Sequence, residues 1–156
     1  MGGLNGIQNI TPRNFRRYGK VIDYPRIEKK GTRRNLWRIV HRSWEPTGWR
    51  AAYLVLRDKT IGRLECHPDS DETFEPIKGR AVLLVSPQKI PTALKAFWLD
   101  RPIVLLKGVW HGIIAVDWEA HFKIFENARV ECRYFPLKKR IGFKIGEGSL
   151  NKRRKK

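Results

Sequence analysis

Leu64–Gly79 reads LECHPDSDETFEPIKG, and further along Gly108–His111 reads GVWH. His67, Glu72 and Gly79 stand at an H-x4-E-x6-G spacing. Two antiparallel strands joined by a tight turn accommodate it. His67 ends one strand, Pro68-Asp69-Ser70-Asp71 turns the chain, Glu72 opens the next strand, and Gly79 lets it turn again. Inward-facing residues alternate along barrel strands, so a small barrel can aim such side chains into one cavity. Glu65, two residues before His67, lies on the same strand face, and His111 arrives from the second segment.

The rest of the chain continues in short extended pieces. Thr11-Pro12 reads as a helix N-cap followed by proline at the first helical position. It starts a short turn through Phe15 and Tyr18 that Gly19 ends. Val21–Tyr24 is extended, and Glu28–Asn35 is a charged loop. Leu36–Trp44 (LWRIVHRSW) and Trp49–Arg57 (WRAAYLVLR) read as strands around the turn Glu45–Gly48. Thr60–His67 and Thr73–Ile77 follow, and Ala81–Ser86 (AVLLVS) is a continuous apolar run, as for a strand covered on both faces. Thr92–Leu99 reads as helix or strand, and Pro102–Lys107 and Trp110–Trp118 read as strands. His121–Phe125 and Ala128–Phe135 form a hairpin around Glu126-Asn127. Pro136–Arg140 opens a basic tail region, with a last short strand at Ile141–Ile145. Many short strands with regular turn signals and little helix argue an all-β sandwich or barrel.

The two motifs resemble those of the cupin superfamily, G-x5-H-x-H-x3,4-E-x6-G and G-x2-H-x3-N, with Glu65 at the first histidine and Ala115 at the final asparagine. Leu-Glu-Cys-His-Pro, Phe-Glu-Pro-Ile-Lys-Gly, Leu-Lys-Ala-Phe and Val-Trp-His are together similar to the ureidoglycolate lyase (ureidoglycolate hydrolase) family over Thr60–Phe125. Thr11-Pro12…Phe15…Tyr18–Ile22 echoes the same family, while Glu28–Arg57 matches it poorly. The resemblance implies an all-β double-stranded β-helix, a jelly-roll-like cupin barrel with a short N-terminal helix. It further implies a homodimer that splits ureidoglycolate into glyoxylate and urea in purine breakdown. Three positions depart from that family: Cys66 stands where it has arginine, Glu72 where it has glutamine, and Leu106 where it has histidine.

His67, His111 and Glu72 are the candidate catalytic residues. With Glu65 they also form a candidate ligand set, because neutral imidazole and carboxylate together suit divalent Mn, Fe, Ni or Zn. Cleavage of a hydroxy acid of this kind needs a base for the hydroxyl proton and a cation for the carboxylate. His67 or His111 would be the base, and Lys107 or Arg80 would hold the carboxylate beside Trp110. Against these readings stand a histidine satisfied within the core and solvated surface cations. Cys66 reads as packing or a replaced ligand, without a partner at zinc-knuckle spacing.

The 156 residues suit one domain, expected over 1–146, with 147–156 as a basic tail ending NKRRKK. Hydrophobic residues make up 41% of the chain, enough for a core. No run of about eighteen apolar residues suggests a membrane helix. MGGLNGIQNI lacks the pattern of a signal peptide, and two cysteines are too few for a disulfide framework, so a cytoplasmic protein is expected. Thirty-three Lys and Arg against fifteen Asp and Glu give a net charge of +18, which attracts anions of any kind. The partners this leaves open are a small anionic substrate and nucleic acid, the latter through the tail or through six tryptophans interleaved with basic residues. Tryptophans on strands are otherwise expected in a barrel core or dimer interface. Three functions compete: a lyase-like cupin enzyme, a non-catalytic cupin that binds a small anion or sugar acid, and a basic β-barrel that binds nucleic acid.

Overall fold

The computed structural model describes residues 2–3, 6–22, 41–42 and 48–142. Most of the expected strand at Leu36–Trp44, the loop at Glu28–Asn35, most of the Glu45–Gly48 turn and the 147–156 tail lie outside them. After β1 (Gly2–Gly3) and β2 (Gln8–Asn9) comes one helical turn, α1 (Pro12–Phe15). The strands that follow are β3 (Gly19–Val21), β4 (Trp49–Leu56), β5 (Thr60–Cys66), β6 (Glu72–Lys78) and β7 (Ala81–Ser86). The last five are β8 (Lys95–Trp98), β9 (Ile103–Leu105), β10 (Trp110–Ala115), β11 (Ala120–Asn127) and β12 (Arg133–Gly142). Seven strands form one sheet in the order β1-β12-β5-β10-β7-β8-β2, and five form the other in the order β3-β9-β6-β11-β4. All pairs are antiparallel except β1 with β12 and β2 with β8 at the two edges of the larger sheet.

Local chemistry explains the elements that frame the site. Thr11 caps α1: its hydroxyl accepts from Asn14 N–H at 3.2 Å while Asn14 Oδ1 accepts from Thr11 N–H at 2.9 Å. Phe15 and Tyr18 then pack against Phe97 with ring centroids 5.5 and 5.8 Å away. The apolar run of β7 is buried on both faces. Ala81, Leu83 and Val85 face the core between the sheets with Phe74, Phe97, Phe122 and Ile124. Val82 and Leu84 face a second cluster with Ile114, Val116 and Ala96, covered in part by Ile7 and Trp98. Full burial of each such Val or Leu contributes about 1.5–3 kcal/mol before ordering entropy is subtracted. Gly79 ends β6 at φ +76°, and a Cβ there would sit 2.2 Å from Glu119 O, so the turn requires glycine.

Three expectations need correction. Residues 121–125 and 128–135 do not form a hairpin. β11 runs straight through Glu126-Asn127 and is paired on both sides, with β4 and β6, while β12 pairs with β5. Residues 136–140 belong to β12 rather than to a tail. Of the two places expected for the tryptophans, the described ones do not take the barrel core: Trp49 is 72% and Trp118 84% exposed, and Trp98 and Trp110 are half-buried; a dimer interface stays an expectation. Trp118 lies beyond the end of β10, in the connection to β11.

Candidate metal centre

Strand alternation and one well-tied turn bring the predicted residues together. Glu65 is the penultimate residue of β5, and His67 follows the strand. His111 lies in β10, registered between Val85 of β7 and Glu65 of β5, so all three share the inward face. Glu72 opens β6 on the same side as buried Phe74. The turn between is fixed to its surroundings. Ser70 Oγ donates to Asp71 O at 2.8 Å and accepts from Asn127 N–H at 3.0 Å. Asp71 Oδ1 accepts from Lys107 N–H at 2.8 Å, and Asp71 Oδ2 lies 3.2 Å from His41 Nε2. Gly108 N–H donates to His67 O at 2.7 Å, which locks the GVWH segment to the first motif.

Both imidazoles present the same edge inward. His67 Nδ1 lies 3.2 Å from Glu131 O, and His111 Nδ1 lies 3.1 Å from Val109 O. With those nitrogens protonated and donating to backbone carbonyls, both Nε2 atoms are free to act as ligands. His67 Nε2 is 3.6 Å from Glu72 Oε2, and His111 Nε2 is 3.1 Å from Glu72 Oε2 and 3.4 Å from Glu65 Oε1. The ring centroids are 5.3 Å apart. Ligand atoms of Glu65, His67 and His111 all lie within 4.8 Å of one another, as do those of His67, Glu72 and Glu126. Short distance does not make alignment: His111 Nε2 and Glu72 Oε2 are buried and form no hydrogen bond. A buried donor set of two imidazoles and carboxylates with orphaned polar atoms at its centre fits a divalent cation.

The electrostatics agree. Burial alone would lower the pKa of His111, but the flanking Glu65 and Glu72 carboxylates outweigh it and push it up to about 10 in the metal-free protein. The neighbouring His111 in turn holds the Glu65 carboxyl below its ordinary value. Burial pushes the Cys66 thiol up, as for a packed, unreactive cysteine.

The other predicted residues stand elsewhere. Arg80 lies beyond the far end of β6, the length of that strand away from Glu72. Its guanidinium grips Asp117 Oδ1 through Nε at 3.0 Å and Nη2 at 2.7 Å. Lys107 touches the motif turn through its backbone, and Trp110 Nε1 donates to Gln88 O at 3.2 Å with its ring against Phe135. A cavity of about 580 Å³ does reach the centre, but its walls come from β5, β10 and β12. Glu65 and His111 line it together with Arg63 and Arg140, while Arg80, Lys107 and Trp110 do not. Glu126 was read as half of a turn. The signal that reveals it is a carboxylate in step with the inward residues Ala120, Phe122 and Ile124 of one alternating strand.

No family model matches the sequence, and no characterised protein matches it in sequence. Solved structures match in shape. A dTDP sugar isomerase from Desulfovibrio desulfuricans is 14% identical, covers 65% of this chain and 73% of its own, and gives a TM-score of 0.50. A sugar 3,4-ketoisomerase from Thermoanaerobacterium thermosaccharolyticum is 14% identical over 53% of this chain and 61% of its own, with a TM-score of 0.44. Procruciferin, an 11S globulin from Brassica napus, is 11% identical over 55% of this chain, with a TM-score of 0.46, and the chain spans only 22% of its length. At such identities the likeness concerns the fold alone. Among the described residues no helix is long and apolar enough to cross a membrane. Two facing sheets, one helical turn and the fold shared with the dTDP sugar isomerase make this chain an all-β double-stranded β-helix.

Proposed function

We propose that Glu65, His67, Glu72 and His111 hold a divalent metal, and that the protein is a cupin-type enzyme acting on a small anionic hydroxy acid or its ureido or amide derivative. The observation that carries this reading is the common polarity of the two imidazoles. Both Nδ1 atoms are engaged by backbone carbonyls, and both Nε2 atoms face carboxylates, with His111 Nε2 and Glu72 Oε2 buried and unbonded. Ni, Mn, Fe or Zn suits such mixed nitrogen and oxygen ligands. The bound metal would supply Lewis acidity toward a substrate oxygen. Glu65 is half-exposed at the cavity wall, so its carboxylate is placed to take a proton from a substrate hydroxyl.

The resemblance of residues 60–125 to ureidoglycolate lyase favours C–N cleavage. As the hydroxyl proton passes to the carboxylate, the hydroxyl carbon becomes a carbonyl and its bond to nitrogen breaks. The same carboxyl then returns the proton to the departing ureide nitrogen, giving glyoxylate and urea. A cytoplasmic homodimer completes the proposal, and sedimentation velocity tests its assembly.

The functional test is elemental analysis of untagged wild-type protein and His67→Ala, followed by urea release from ureidoglycolate. Near-stoichiometric metal that disappears in the variant, together with turnover, is the expected result. No metal in either protein removes the metal mechanism. Tight carboxylate binding without turnover makes the protein a non-catalytic cupin, and nucleic-acid affinity that survives physiological salt replaces both readings.

A further inference from the structure

The wall of the larger sheet is open beside the metal centre. β10 registers six residue pairs with β7 but a single pair, His111↔Glu65, with β5. A further backbone hydrogen bond between the two segments runs from Ala115 N–H to Asp58 O at 2.8 Å. Between these points the β5 side has three more residues than β10, and the surplus interrupts the ladder. On the other flank of β5 the register with β12 also slips, between Pro136↔Arg63 and Ile141↔Ile61. The cavity of about 580 Å³ is lined by both segments here, among them Asp58, Arg63 and Glu65 on one side and His111 and Gly112 on the other. Two of its lining residues are glycines closely approached by neighbouring side chains. A Cβ on Gly112 would meet Ile61 Cδ1 at 2.7 Å, and one on Gly62 would meet Arg140 Nη1 at 3.1 Å.

We infer that this cleft is the subsite for the carboxylate of a small hydroxy acid, held by Arg63 with Arg140 behind it. The inference rests on the metal-site reading above, which it deepens. Arg140 is pre-positioned: Nε and Nη2 donate to Thr60 Oγ1 at 3.1 and 2.9 Å, and Nη2 also reaches Thr60 O at 3.2 Å. Arg63 lines the same cleft with its guanidinium 4.2 Å over the Tyr134 ring, and among the described residues it meets no carboxylate at ion-pair distance. A stacked guanidinium keeps its planar fork of donors available for bidentate contact with a carboxylate. Of the acids in the cleft, Glu65 is engaged by His111, and Asp58 is several residues away along the wall. A carboxylate bound by Arg63 puts its own α-hydroxyl toward Glu65 and His111, the end where proton removal and metal activation are proposed. This fixes the substrate class as a 2-hydroxy carboxylate short enough to span the cleft.

The test is a titration of 15N-labelled protein with glycolate in 150 mM NaCl, in zinc-loaded and chelator-treated forms, reading the amide signals of Gly62 and Gly112. Saturable shifts at both glycines are expected. The affinity should fall about tenfold or more in Arg63→Gln, the size expected for a lost charged hydrogen bond, and less in Arg63→Lys. Arg80→Gln should bind as wild type. Unchanged melting temperature of Arg63→Gln, an exposed position, certifies the fold. Glycolate affinity independent of Arg63, or linear shifts spread over the basic surface, overturns the subsite. Arg63-dependent binding in a protein that takes up no zinc upholds the subsite and overturns the metal reading, so the two failures are distinguishable.

Discussion

His111 is 1% exposed, and its Nε2 lies 3.1 Å from Glu72 and 3.4 Å from Glu65. In metal-free protein the His111 imidazolium is the nearest cation to a Glu72 carboxylate that is itself buried, and the His67 ring lies 3.6 Å from that carboxylate. His111→Ala therefore strands a buried charge and also opens a cavity. Breaking a buried pair from one side costs about 3–5 kcal/mol. At about 2–4 °C per kcal/mol for a chain of this size, the melting temperature should fall by roughly 6–20 °C. Removing both partners is a different perturbation, because an apolar replacement of a buried pair is often neutral. His111→Ala/Glu72→Leu should thus melt above His111→Ala alone. The assay is thermal circular dichroism on chelator-treated proteins at neutral pH. A His111→Ala midpoint unchanged from wild type, or a double variant that melts below the single one, would refute the account of a charge trapped at the centre.

Other expectations follow from the same geometry. The folded pKa of His111, about 10, stands above its ordinary 6.5. Its contribution to metal-free stability is therefore complete below about pH 6.5 and is lost as pH rises toward 10. The midpoint should decline over that window in wild type, and a decline of equal slope in His111→Ala would assign it to another group. Gly79→Ala forces a side chain into positive φ and onto Glu119 O. It should cost at least about 1–3 kcal/mol in urea unfolding, and an unchanged midpoint would mean that the turn adapts. Ser70→Ala leaves the N–H of Asn127 without its acceptor, at a cost of about 1–3 kcal/mol. Because that bond holds the turn leading into Glu72, metal affinity measured by competition with a chelator should weaken too. Phe74→Ala empties the space between His111 and Phe122, ring contacts of 6.2 Å each. It should destabilise by about 3–5 kcal/mol in denaturant titration.

Why some of this was legible and some not has a physical basis. Alternation along a strand is a local rule, so Glu65 and His67 could be put on one face from spacing alone, and the turn PDSD could be expected to return Glu72 to the same side. The continuous run AVLLVS announced a strand buried twice over. Glu126-Asn127 misled because turn preference is also local, whereas β11 is held straight by partners on both sides, β4 and β6. Arg80 looked suitable by charge, but strand rise carries it away from Glu72 and Asp117 claims its guanidinium. The cleft with Arg63 and Arg140 depends on a mismatch of three residues between neighbouring strands, a property of pairing that no single stretch of sequence encodes. The exposed Trp49 shows the converse limit: hydrophobicity says what burial would favour, not which side of a strand receives it.

The seven-stranded sheet has one further consequence. Its two edges are occupied by β1 and β2, which lie only a few residues apart in the chain. Laid flat, the outermost strands of seven would be separated by roughly 28 Å at the usual spacing between strands. The chain from Gly3 to Gln8 can reach only about 18 Å even when fully extended. The sheet must therefore be bent until its edges come within that reach. Its curvature is held by a covalent tether as well as by the core, like a bow drawn by its own string.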